Sequence, residues 1–128
     1  MKKKVLIVVS DYYKDISDAL LKSTKKYLNK KTNLKIIKVP GVFEIPVIIS
    51  KNLNKFDGFV AIGCVIKGKT AHFDLISKSV IDAIMYISID NKKPVGNCIL
   101  TCFNYRQALA RNNKGKEAAL ALNNILYK

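Results

Sequence analysis

Residues 59–74 read FVAIGCVIKGKTAHFD, and the fold turns on how this stretch is taken. Residues 63–70, GCVIKGKT, satisfy the phosphate-loop pattern Gly-x4-Gly-Lys-Ser/Thr letter for letter. A phosphate loop, however, needs a flexible segment whose backbone N–H groups curl around an anion. Here Cys64-Val65-Ile66-Lys67 prolongs the apolar run Phe59-Val60-Ala61-Ile62. β-Branched residues in series favour an extended strand over a curled nest. The stretch is therefore expected to be a buried strand over Phe59–Ile66, a short turn, and a helix opening near Thr70.

Outward from this strand the pattern repeats. Val5–Val9 is a second continuous apolar run, as a parallel strand covered on both faces requires. A helix is predicted from about Asp15 to Lys30, with Ile16, Ala19, Leu20, Tyr27 and Leu28 near one face. Leu34–Val39 reads as a strand closed by Pro40-Gly41. Glu44–Leu53 reads as a helix that tolerates Pro46 in its first turn. The long helix runs from Thr70 to Ile89, and Val95–Leu100 is a fourth strand. Helices near Asn104–Arg111 and Gly115–Tyr127 end the chain. Alternating β and α segments joined by short connections imply a three-layer α/β/α sandwich of the flavodoxin-like kind on a four-stranded parallel sheet. Residues 1–128 read as one domain.

The long helix carries two apolar stripes: Ile76, Val80, Ile84 and Ile87, and Ile81, Met85 and Ile89. One stripe suffices to cover a sheet. The second is expected to be buried against another subunit, or else against the C-terminal helices.

Composition narrows the functional classes. The net charge is +14, yet the cations are nearly all Lys, with Arg106 and Arg111 the two exceptions. Lysines scattered over every segment suit solvated faces better than the Arg forks of a nucleic-acid reader. Neither a nucleic acid nor a membrane is expected as partner, while anionic small molecules remain plausible ligands. Met1-Lys2-Lys3-Lys4 is followed only by the Val5–Val9 run, without a small-residue cleavage site, so a cytoplasmic protein without a signal peptide is expected. Cys64, Cys98 and Cys102 lack metal-ligand spacing and read as buried small apolar residues; no metal is expected.

In open α/β sheets ligands bind beyond the carboxyl ends of the strands, and the candidate segments there are 11–13, 41–44, 67–72 and 101–105. His72, the single histidine, falls there, in the first turn of the long helix, a position suited to proton transfer. Gly68, Lys69 and Thr70 precede it where backbone N–H groups can receive a phosphate. Glu44 is either a carboxylate complementing a helix start or an acceptor for substrate hydroxyl or N–H groups. Tyr12 is either a packed aromatic or a stacking platform for a flat ring. Arg111 is either solvated surface or a phosphate fork.

Together, VPGVFEIP at 39–46, AIGCVIKGKTAHFD at 61–74, NCILTCFNYRQALAR at 97–111 and KGKEAA at 114–119 resemble the lumazine synthase family over essentially the whole chain. The resemblance implies condensation of 5-amino-6-(D-ribitylamino)uracil with 3,4-dihydroxy-2-butanone 4-phosphate, giving 6,7-dimethyl-8-ribityllumazine, phosphate and water. It implies no cofactor, because the substrate's own amine forms the imine. By motif position it makes His72 the proton-transfer residue and Tyr12 the stacking ring. Val42, Phe43 and Glu44 would contact the uracil or its ribityl chain, and Cys64, Val65 and Ile66 would offer mainly backbone contacts. Lys69 and Thr70 would hold the phosphate with Arg111 and Lys114. Asn97 and the Arg111 segment would complete a neighbouring subunit's site, in a homo-oligomer expected to be a pentamer. Three positions depart from the family's usual residues: Tyr12 is more often Phe or Trp, Tyr13 a small polar residue, and Asn97 Phe. A non-catalytic lumazine- or flavin-binding protein on the same scaffold is the alternative. A riboflavin synthase of the related archaeal type fits less well, since its lumazine substrate has no phosphate for Lys69, Thr70 and Arg111.

Overall fold

The computed structural model describes residues 2–128. Four strands, β1 (Lys4–Ser10), β2 (Asn33–Val39), β3 (Gly58–Ile66) and β4 (Val95–Cys102), form one sheet in the order β2-β1-β3-β4. Every pairing is parallel, with Ile7 opposite Ile36 and Val60, and Ile62 opposite Cys98. The central strands β1 and β3 are buried almost throughout, which is what their unbroken apolar sequences require. The sheet and its flanking helices make a three-layer, flavodoxin-like α/β/α sandwich.

One face is covered by α1 (Lys14–Tyr27), α4 (Tyr105–Ala110) and α5 (Lys114–Leu126), around Val5, Ile7, Val9, Ile62, Cys98 and Leu100. The other is covered by α2 (Ile45–Lys51) and α3 (His72–Asn91), around Leu6, Val8, Phe59, Ala61 and Ile99. The predicted elements are all present, with shifted ends. α1 stops at Tyr27, short of Lys30, and its buried face is Ile16, Ser17, Leu20 and Thr24, with Ala19 exposed. Two polar residues take inward positions because their hydroxyls are satisfied locally: Ser17 donates to the Ser10 carbonyl, and Thr24 to the Leu20 carbonyl at 2.8 Å. The predicted helix from Glu44 is preceded by a 3₁₀ turn, Val42–Glu44, and α2 proper carries Pro46 in its first turn. α3 begins at His72, two residues after the expected start, and β4 runs on to Cys102.

Two glycines permit close approaches. A Cβ at Gly115 would stand 2.7 Å from the Leu20 carbonyl oxygen, so α5 enters directly against α1. A Cβ at Gly63 would stand 2.5 Å from Val42 Cγ1, so the 3₁₀ turn lies flush on β3. Gly68 has open space around its Cβ direction and no positive φ, unlike a glycine forced by a tight phosphate-binding turn.

On α3 the first stripe packs inward, with Val80 and Ile84 buried. In the second stripe Ile81 is partly covered, whereas Met85 and Ile89 are exposed. The C-terminal helices lie on the opposite face of the sheet and leave these residues open. No helix among the described residues is long and apolar enough to cross a membrane. Nearly all lysines are exposed; Lys3, Lys93 and Lys114 are half-buried, and Lys93 donates to the carbonyls of Leu53 and Phe56.

Candidate active site

Strand order reverses between β1 and β3, and there the chain leaves a cleft at the carboxyl ends of the strands. A cavity of about 410 Å³ occupies it, lined by Ser10 at the end of β1, Tyr12 and Tyr13 after it, Gly41–Phe43 after β2, and Cys64–Ile66 of β3. His72 and Ile76, from the first two turns of α3, close the remaining side. Of the residues singled out from sequence, Tyr12, Val42, Phe43, Cys64, Val65, Ile66 and His72 thus meet around one space. Tyr13 and Gly41, which belong to the strand-end segments expected to carry a site, line it too, and so do Ser10 and Ile76, which were not anticipated. Position carried the signal for both, since Ser10 is the last residue of β1 and Ile76 sits one turn after His72 on α3.

The walls differ in character. Val42, Cys64 and Val65 are buried and belong to the core, so the floor is rigid. Tyr12 and Phe43 are 74% and 63% exposed and stand as free aromatic surfaces at the mouth. Glu44 follows on the same turn, donating its backbone N–H to the Gly41 carbonyl at 3.2 Å. Its carboxylate lies over Gly41, for a Cβ there would be 3.1 Å from Oε1. Glu44 also lines, with Phe43, an adjoining groove between α2 and α3.

At the start of α3, Thr70 Oγ1 accepts from the His72 backbone N–H at 3.3 Å, and the first helical bond runs from Leu75 N–H to the Ala71 carbonyl at 3.1 Å. Lys69 and Thr70, just ahead of this helix start, are exposed, and the first-turn N–H groups have no partner within the helix. Beside this turn, Lys67 Nζ lies 5.4 Å from the centre of the Phe103 ring, which stacks on Phe73 at 6.4 Å.

Six anticipated residues do not line this cavity: Glu44, Lys69 and Thr70 adjoin its lining residues along the chain, whereas Asn97, Arg111 and Lys114 lie elsewhere. Asn97 and Lys114 line a second one, of about 370 Å³, beside the edge strand β4, together with Glu117, Val95 and Ile125. Asn97 Oδ1 accepts from the Ile99 N–H at 3.0 Å. Arg111 is exposed at the C-terminus of α4 and lines neither space.

The three cysteines are buried and unpaired by disulfides. Burial pushes the thiols of Cys64 and Cys98 from their ordinary 9.0 up to about 12. Both are neutral at physiological pH, so Cys64 offers the cavity a weak S–H group and no nucleophile. A thiol-specific disulfide reagent at pH 8 is expected to modify the native protein slowly and the unfolded chain fully. The same shift works on stability. The unfolded chain ionises these thiols above about pH 9 while the folded one keeps them protonated until about pH 12, so stability falls across that window and is unaffected below it. Urea midpoints measured at pH 8 and pH 10 check the sign.

Comparison with known proteins decides the family. A sequence model described as 6,7-dimethyl-8-ribityllumazine synthase matches residues 2–127. The chain belongs to the 6,7-dimethyl-8-ribityllumazine synthase family. Synthases of that name from Bartonella tribocorum and Agrobacterium fabrum are 42% and 40% identical to it, each over 94% of this chain and over 87% and 90% of their own lengths. The synthase of Corynebacterium kroppenstedtii is 37% identical over 92% of this chain and 79% of its own. Membership in the synthase family covers both cavities and every segment that lines them.

Proposed function

We propose that this chain condenses 5-amino-6-(D-ribitylamino)uracil with 3,4-dihydroxy-2-butanone 4-phosphate to give 6,7-dimethyl-8-ribityllumazine, phosphate and water. The observation that carries the reading is the meeting of His72 with Tyr12, Val42, Phe43 and the end of β3 around one cavity, in a chain of the synthase family.

Each residue then has a task set by its chemistry. Tyr12 stacks on the flat uracil, and Phe43 and Val42 confine ring and side chain. Backbone groups of Cys64, Val65 and Ile66, at the end of a strand, meet the polar edge of the ring. Glu44 accepts from ribityl hydroxyls. The reaction forms an imine from the substrate's amine, expels phosphate and closes a ring, and each stage moves a proton. His72 is the cavity's one imidazole and shuttles those protons. Lys69, Thr70 and the first-turn N–H groups of α3 hold the phosphate, as helix starts do. Holding both substrates in one orientation supplies much of the acceleration. No resident cofactor is required.

Asn97, Arg111 and Lys114 stand away from this cavity, so we assign them to the site of an adjacent subunit, where the two cations join the phosphate. The exposed Met85, Tyr86 and Ile89 on α3 support burial against a second copy. We favour a homopentamer of one-domain subunits, residues 1–128, working in the cytoplasm on small molecules rather than on nucleic acid or membrane.

Mixing the purified protein with both substrates should yield the absorbance and fluorescence of the lumazine, with one phosphate released per product. Binding of the lumazine without turnover would instead establish a non-catalytic binding protein. Light scattering on the same sample reads the assembly state.

A further inference from the structure

Tyr13 lines the same cavity as Tyr12, but the two rings are held differently. Tyr12 is largely exposed, whereas Tyr13 is half-buried. Tyr13 is the residue capping α1, in a non-helical conformation, and its carbonyl accepts the Ser17 N–H at 2.9 Å. Its backbone is therefore fixed by the helix start. Its ring meets Tyr12 edge-on at 4.9 Å and Tyr105 of α4 edge-on at 6.3 Å, so it is braced from both sides. We propose that Tyr13 is a substrate-contacting residue that sets the width of the ring cavity, and that Tyr105 is its positioning residue.

The chemistry of the lining supports this assignment, which rests on the function proposed above. Val42, Phe43, Val65, Ile66 and Ile76 are apolar, so among the side chains lining the space polar groups come from Ser10, Tyr12, Tyr13, Cys64 and His72, and of the two phenols Tyr13 is the half-buried one. A uracil-type ring carries carbonyl oxygens that lose affinity if buried without a donor. Burial and the neighbouring Tyr12 and Cys64 hold the Tyr13 phenol above its ordinary 10.0, so the hydroxyl stays an O–H donor in the working pH range. Tyr13 thus joins a rigid aromatic wall to a hydrogen-bond donor, and limits the ligand to a flat, carbonyl-bearing ring.

The test combines steady-state kinetics with fluorescence titration of 6,7-dimethyl-8-ribityllumazine. Tyr13→Phe keeps the wall and removes the donor; KM for the uracil substrate and Kd for the lumazine should both rise about fivefold, with kcat changing less. Tyr13→Ala removes both, and the rise should reach tenfold or more. Tyr105→Ala should raise KM about threefold, and Tyr105→Phe, which keeps the edge contact, should restore it. If wild-type protein turns over while folded Tyr13→Phe and Tyr13→Ala match it in KM and Kd, the assignment is overturned and the synthase reading stands. If Tyr13→Ala does not fold, Tyr13→Phe decides alone. Wild-type protein that neither turns over nor binds the lumazine would overturn both.

Discussion

Replacing His72 with alanine is expected to lower kcat by about a hundredfold, while Kd for 6,7-dimethyl-8-ribityllumazine changes less than threefold. The imidazole lines the cavity from the first turn of α3, is exposed, and is not part of either core cluster. Its loss leaves folding intact and removes the group suited to carry protons between imine formation, phosphate loss and ring closure. His72→Gln keeps a similar shape and a hydrogen-bonding amide but cannot shuttle a proton, so it should resemble alanine in kcat. Added imidazole should recover part of the alanine variant's rate and none of the glutamine variant's. Stopped-flow absorbance at the lumazine band measures all three. Equal rates for wild type and His72→Ala would remove His72 from the mechanism.

Gly63→Val should cost about 3 kcal/mol and lower Tm by about 10 °C, with product binding lost alongside. The first side-chain carbon alone would sit 2.5 Å from Val42 Cγ1 and 3.3 Å from Ser10 Cβ. Neither neighbour can yield cheaply, because Val42 is buried and Ser10 ends the buried strand β1. The 3₁₀ turn Val42–Glu44 would have to lift off the sheet, carrying Phe43 and Glu44 with it. Val65→Ile, which adds one methylene to an existing side chain on the same strand, provides the comparison. Calorimetry gives the stability change and lumazine titration the loss of binding; a Gly63→Val variant with wild-type Tm would contradict the packing described.

The part of the fold written in long, periodic or unbroken apolar runs was legible from residues alone. Phe59–Ile66 and Val5–Val9 declared buried parallel strands, and the first stripe of α3 declared its inward side. What escaped was set by contacts between distant residues. Ser17 and Thr24 replace Ala19 on the inner face of α1 because carbonyls at Ser10 and Leu20 accept their hydroxyls. No periodicity of apolar residues announces such an exchange. The cavity lining was legible where motif and strand end coincide, at Cys64–Ile66 and again at His72. Tyr13 fell in a candidate segment, but its packing against Tyr105, far along the chain, was not legible. The separation of Asn97 and Lys114 from His72 follows from the sheet order, which puts β4 at an edge beyond β3.

The strand β3 has one further consequence, for how this pocket can be reshaped. Cys64 and Val65 face the ligand space and simultaneously pack the two core clusters, one on each side of the sheet. Any substitution there is screened first by folding and only then by chemistry, so drift in ligand preference along β3 is blocked. Tyr12 and Phe43 carry no such double duty, being largely exposed at the mouth. Redesign toward a different heterocycle, in the laboratory or over generations, has its freedom on the rim of the cavity and almost none on its floor.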